Sequence, residues 1–141
     1  MKNTLVYASL VSLALVGVFM LVIFYWMFWP YKTYEPDTEK IILVKNVLHA
    51  CDTLQWYSRG FHHTNGVSVD VSRQLWNDTI INFPPTSYVT TYGRLDTKNT
   101  LKIPCYAPVG KYKLKVWATF HVNPIRDVLF TRESEEFVIV E

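Results

Sequence analysis

The stretch Gly110-Lys-Tyr-Lys-Leu-Lys-Val-Trp-Ala-Thr-Phe-His-Val122 decides how the rest of the chain is read. Tyr112, Leu114, Val116, Ala118, Phe120 and Val122 share one parity; Lys111, Lys113, Lys115, Trp117, Thr119 and His121 share the other. Successive side chains on a strand point to opposite faces, so the pattern predicts a long strand with one buried and one wet side.

Working outward, Val67 to Val71 alternates in the same way, with valines at 67, 69 and 71. Ile41 to Leu48, Thr53 to Tyr57, Thr86 to Tyr92, Leu101 to Cys105 and Phe137 to Val140 are further strand candidates. Turn chemistry separates them: Asn65-Gly66, Asn77-Asp78, Pro84-Pro85, Gly93, Pro108 to Gly110 and Asn123-Pro124. About seven short strands with such spacing predict an all-β antiparallel sandwich rather than a helical or α/β domain.

The 141 residues are 50% hydrophobic, 16% aromatic and 18% charged, which excludes an intrinsically disordered chain. A formal net charge of +2 lacks the basic excess of a general nucleic-acid binder, so no nucleic-acid partner is expected. Two cysteines are too few for a disulfide-scaffolded miniprotein.

Asn3 to Tyr31 carry no charged side chain. The apolar heart, Leu5 to Trp29, spans about 37 Å as a helix, enough to cross a hydrocarbon core of about 30 Å with some tilt. Bulky rings occupy the place where a small-x-small cleavage site would lie, so a permanent single-pass anchor is expected rather than a cleaved signal peptide. Tyr25, Trp26, Trp29 and Tyr31 suit the headgroup boundary as an aromatic belt, and Pro30 predicts that the helix stops near Trp29. The expected organisation is therefore an anchor over 1–31, a polar stalk over 32–40 and a β-sandwich over 41–141. The lipid bilayer is one expected partner. Basic residues flank both ends of the anchor; the short N-terminal tail favours N-terminus inside, with the domain on the outer face of a cytoplasmic membrane.

Pro108-Val-Gly-Lys-Tyr-Lys-Leu-Lys-Val-Trp-Ala resembles the strand F signature of immunoglobulin-like and fibronectin type III domains. The resemblance implies that Gly110 provides the turn and that Tyr112 is the corner tyrosine, its hydroxyl bonded back to the chain. More broadly, Cys51-Asp-Thr-Leu, Val71-Ser-Arg-Gln-Leu, Ile103-Pro, Gly110-Lys-Tyr-Lys-Leu, Val122-Asn-Pro-Ile-Arg126 and Glu136-Phe-Val-Ile are similar to stretches of small phage-encoded single-pass membrane proteins with such an ectodomain. That resemblance implies a setting, an infected bacterial cell, and no mechanism.

Cys51 and Cys105 are a candidate disulfide; a bridge closing about fifty residues would contribute about 4 kcal/mol in the chain-entropy model. The alternative is two separate thiols buried as small apolar side chains. Lys111, Lys113, Lys115 and Trp117 form a candidate interaction patch for an acidic surface, against the alternative of an ordinary solvated strand face. His49, His62, His63 and His121 show no metal-ligand spacing and read as loop or surface residues, so neither metal nor cofactor is expected. Arg132 to Glu136 reads as a solvated turn or bulge. With no GxSxG and no phosphate-cradling glycine loop, catalysis has no support.

The expected function is a membrane-anchored, non-catalytic interaction module that binds another membrane, envelope or phage protein, as an envelope or superinfection-exclusion factor. The alternatives are a structural subunit of a virion, lysis or other envelope assembly, and a metal-delivery accessory of a membrane oxidase.

Overall fold

The computed structural model describes residues 2–29 and 32–141. One helix, α1 (Lys2–Phe28), precedes the strands β1 (Tyr34–Pro36), β2 (Ile42–Leu43), β3 (Val47–His49), β4 (Thr53–His62), β5 (Ser68–Trp76), β6 (Ile80–Val89), β7 (Gly93–Lys102), β8 (Gly110–Asn123), β9 (Arg126–Glu133) and β10 (Phe137–Val140). The chain is thus mostly β, with one N-terminal apolar helix. Within α1, Val6–Phe28 is long and apolar enough to cross a membrane, and the sandwich buries none of it.

β8 runs for 14 residues because nothing after Gly110 interrupts it, and its β-branched and aromatic residues, Tyr112, Val116, Trp117, Thr119, Phe120 and Val122, favour a pleated surface. It pairs antiparallel with β5 on one edge. Its other edge is shared by β9 and β10, and Ser134 marks the hand-over. There the Ser134 amide donates to the Leu114 carbonyl, and the Leu114 amide donates to Ser134 Oγ. β6 extends this sheet beyond β5, and β3 closes the far edge, parallel to β10. In the second sheet β4 lies between β7 and the pair β1 and β2.

The inward side chains of the two sheets meet in two apolar clusters. One gathers Leu48, Leu54, Trp56, Leu75, Ile103, Tyr112, Leu114, Phe137 and Ile139. The other centres on Val69, Val71 and Phe120, with Tyr34, Val67, Ala118, Val128 and Phe130 packed against it. Val116 touches both. Fully burying one Leu or Phe of this kind contributes roughly 1.5–3 kcal/mol.

Several sequence expectations are corrected. The single strand expected over Ile41–Leu48 is two short ones in different sheets. Val44 donates its amide to Gln55 in one sheet, and Asn46 accepts from Val138 in the other, so the chain changes sheets between them. Pro84-Pro85 is not a turn; it lies within β6, where the register with β5 slips by a residue. β6 is an edge strand, and neither Pro84 nor Pro85 has a register partner on β5, so the missing N–H groups fall on the open edge and at the slip. The run from Arg132 is not wholly a turn, because Arg132 and Glu133 end β9.

The expected stalk over 32–40 is largely built into the sandwich. Tyr34 to Pro36 pair with His62 to Gly60. The guanidinium of Arg132 donates to the carbonyls of Thr38 (2.6 Å) and Lys40 (2.7 Å) and to Thr38 Oγ1 (2.9 Å), pinning the segment to β9. Gly60 is required at the crossing, since a Cβ there would collide with the Glu35 carbonyl and the Tyr34 ring.

A disulfide joins Cys51 to Cys105, with Cα atoms 4.3 Å apart. It lies just past the last pair of the β4–β7 ladder, Thr53 with Lys102, and fastens the loop ahead of β4 to the loop after β7. Gly110 opens β8 opposite Ile139 and leaves room for the Asn77 amide, 2.8 Å from where a Cβ would stand. Tyr112 is 1% exposed, and its hydroxyl donates to the Pro108 carbonyl at 2.8 Å. Tyr112→Phe is expected to lower stability by about 1–2 kcal/mol through loss of that hydrogen bond, with the native spectrum retained. Chemical denaturation of both proteins measures this; a difference near zero would remove the corner role.

Candidate interaction surface and interior cleft

Three regions bring chemistry-bearing residues together: the outer face of β8, the end of the sandwich next to the helix, and the space between the sheets.

On the outer face of β8, the three lysines do not form a bare cationic row. Lys111 pairs with Glu136 at 3.2 Å, and Lys115 pairs with Glu133 at 3.1 Å. The Lys115 ammonium also lies 4.5 Å from the centroid of Trp76 and 5.4 Å from that of Trp117, which leaves its side chain 22% exposed. Cross-strand register explains the gathering: Trp76 stands opposite Lys113, and Gln74 opposite Lys115. Trp76 is oriented by its indole N–H, which donates to Gln74 Oε1 at 2.7 Å. Among the described residues Lys113 alone of the three makes no ion pair. The surface is therefore an aromatic–cation–aromatic sandwich with acidic edges. Trp76 belongs to it, and sequence reasoning omitted it because it lies on another strand.

Further along the same face, His121 bridges two carboxylates, with Nε2 3.0 Å from Asp70 and Nδ1 2.8 Å from Asp127. The hydrogen bond to Asp70, then that to Asp127, raises the imidazole above its ordinary value of 6.5. Asp70 is held below the usual carboxylate range, chiefly by the Ser87 hydroxyl and then by His121.

At the helix end of the sandwich, the β8–β9 turn caps α1. The last carbonyls of a helix have no intrahelical partner. Here Arg126 donates to the Met27 carbonyl at 2.9 Å, while Asn123 Nδ2 donates to the carbonyls of Trp26 and, at 3.4 Å, of Trp29. Tyr25 and Trp29 are exposed, with rings 6.3 Å apart, and Trp26 is 39% exposed. Tyr31, the fourth residue of the expected belt, and Pro30 lie outside the described residues. Ile125 in the capping turn, Leu129 on β9, and Val89 and Tyr92 beside the β6–β7 loop are exposed apolar side chains at the same end.

Between the two apolar clusters lies a cleft of about 210 Å³, walled by Trp56, Val71, Val116, Ala118, Phe120 and Phe130. Ser58, Thr97 and Asn99 from β4 and β7 line it opposite Arg73 and Arg132. Both arginines occupy inward positions: Arg73 continues the parity of Val69, Val71 and Leu75, and Arg132 that of Val128 and Phe130. Burial depresses both guanidinium pKa values. Arg132 is occupied by the carbonyls of the 38–40 segment. Arg73 makes one hydrogen bond among the described residues, to Thr86 Oγ1 at 2.9 Å, and no ion pair.

The remaining histidines divide. His63 is near Glu35 at 3.3 Å and His49 near Asp52 at 3.4 Å. His62, expected at the surface, is 3% exposed, against Tyr34, Phe120 and Tyr88, and neither ring nitrogen has a hydrogen-bond partner among the described residues. It continues the inward parity of Trp56 and Gly60 on β4, and burial lowers its pKa, which keeps the ring neutral. Among the described residues no group of three or more His, Cys, Asp or Glu side chains is arranged to hold a metal ion.

No protein-family model matches the chain, and no match was found among curated proteins. Two solved structures are distantly similar to it. Spo0M, the sporulation control protein of Bacillus subtilis, is 12% identical over 78% of this chain, with a TM-score of 0.47; the matched part is 50% of Spo0M, so the chain spans about half of that protein's length. A CARDB domain from Pyrococcus furiosus, solved in complex with di-metal ions, is 13% identical over 77% of this chain and 93% of its own, with a TM-score of 0.43.

The His121 bridge makes stability pH-dependent. A folded-state pKa above the unfolded one means that folding takes up a proton, so the stabilisation is complete below about pH 6.5 and is lost as pH rises through the raised value. His121→Asn should flatten this part of the pH–stability profile. Thermal melts from mildly acidic to mildly alkaline pH, with an NMR titration of the His121 ring, measure it; a titration at or below 6.5 would remove the effect.

Proposed function

We propose that this chain is a single-pass, membrane-anchored, non-catalytic interaction module, its sandwich displayed on the outer face of a cytoplasmic membrane. There it binds another membrane, envelope or phage protein. The observation that carries this reading is the junction of helix and sandwich. An apolar helix with no face buried against the protein has its terminal carbonyls taken by Asn123 and Arg126 of the domain. In hydrocarbon every backbone polar group needs an internal partner, which a continuous helix supplies. The capping turn then holds the domain at the headgroup level, where Trp26, Trp29 and Ile125 meet an interface that favours amphipathic rings.

We read the sandwich as immunoglobulin-like or fibronectin type III-like. Three features support this: β2, β4 and β7 oppose β6, β5, β8 and β9; β3 runs parallel to β10; and Tyr112 donates to Pro108 at the start of β8. The binding face is the outer surface of β8, where Trp76, Lys115 and Trp117 form a partly desolvated aromatic and cationic cluster. Interfaces concentrate their energy in such aromatic and cationic anchors. Confinement to the membrane plane raises effective concentration, so modest contacts suffice. The resemblance to phage-encoded membrane proteins sets this in an infected bacterial cell, as an envelope or superinfection-exclusion factor.

Two measurements test the proposal. Protease added to intact spheroplasts is expected to digest the region beyond residue 31; protection until lysis would reverse the orientation. A photo-crosslinking amino acid at position 117 is expected to give a discrete heavier adduct in host membranes, lost on Lys115→Glu. Absence of any adduct from an intact, correctly oriented protein would overturn the binding face.

A further inference from the structure

The interior of this sandwich is interrupted where one continuous apolar core would be the usual arrangement. At the middle layer, inward positions carry Arg73 and Arg132 from one sheet and Ser58, Thr97 and Asn99 from the other. A charged group is taken out of water only when it is paired or hydrogen-bonded. Arg132 meets that condition inside the chain, through the carbonyls of Thr38 and Lys40. Arg73, half-buried at the cleft, meets it only in part. Of the five N–H donors of a guanidinium, its one hydrogen bond among the described residues goes to Thr86, and it makes no ion pair among them.

We propose that the cleft is a binding site for a compact organic carboxylate, its anionic head held by Arg73 and its apolar body lodged between Trp56, Val116, Ala118 and Phe120. Charge selects the head: a guanidinium fork matches a carboxylate in two-point geometry. Size selects the body. An apolar cavity of about 150 Å³ holds benzene, so 210 Å³ accommodates a ring-sized body with a carboxylate beside it. Larger ligands take pockets of about 300–1,000 Å³, which argues against a long acyl chain. The polar wall of Ser58 and Asn99 gives the second carboxylate oxygen a donor; Asn99 Nδ2 already lies 2.8 Å from Ser58 Oγ, and that hydroxyl can turn toward the cleft. This inference is independent of the outer face of β8, which lies on the opposite side of the sheet.

The test uses the full chain in lipid nanodiscs, with the methyl resonances of Val71, Val116 and Ala118 followed by NMR. The probes are 3-phenylpropionate and its neutral counterpart 3-phenylpropan-1-ol. The acid is expected to shift these resonances saturably, and the alcohol to bind about tenfold or more weakly. Arg73→Met, which keeps length and removes charge, is expected to bring the acid down to the alcohol's affinity. Should that variant fail to fold, the comparison of acid with alcohol on the unaltered protein decides the matter alone. Equal binding of the two probes, or no saturable shift with either, would overturn the site; both outcomes leave the crosslinking result at position 117 untouched.

Discussion

The fold depends on a single strand whose two edges are both occupied and whose two faces differ. β8 exchanges hydrogen bonds with β5, β9 and β10, and its inward side chains feed both apolar clusters. A one-residue slip of register would send Tyr112, Leu114 and Phe120 to the solvent side and Lys113 and Lys115 into the core. That cost fixes the register of three neighbours at once. The Tyr112 hydroxyl and the paired bonds of Ser134 with Leu114 hold the end where β8 changes partner.

Tertiary pairing also redistributes charge. Read along the chain, Lys111, Lys113 and Lys115 look like a basic stripe, but Glu133 and Glu136 arrive from the adjacent edge and neutralise two of them. Exposed pairs of this kind contribute only about 0–1 kcal/mol each. Their larger consequence is for the character of the face, where the Lys115 ammonium lies shielded between two indoles and Lys113 stays exposed. The same logic applies to Arg132. Half-buried and without an acid, it is stabilised by backbone carbonyls of the segment that joins helix to sandwich. It thereby fastens that segment to β9.

The interior accepts two arginines where alternation calls for apolar residues, and this departure separates the two clusters. Arg73 places a charged group at the layer between the clusters, where an apolar residue would extend the apolar packing. Local rules are most often broken where a protein binds something, and the break at Arg73 coincides with a cleft.

Period-2 alternation in 110–122 sufficed to determine a long strand and its buried face, and the uncharged run from Asn3 to Tyr31 sufficed for one long apolar helix, because both properties are local. Pro84-Pro85 misled, since whether a proline pair makes a turn or an edge bulge depends on whether a neighbouring strand needs its N–H groups. The apparent stalk misled for a similar reason: its partner, Arg132, lies more than ninety positions away. His62 looked like a loop residue because only the pairing of β4 with β1 shows that its parity points inward. Trp76 beside Lys115, the bridge of His121 between Asp70 and Asp127, the capping of the helix by Asn123 and Arg126, and the cleft under Arg73 all join residues distant in sequence. Composition and periodicity carry no information about such distances, so only the packed sheets could decide them.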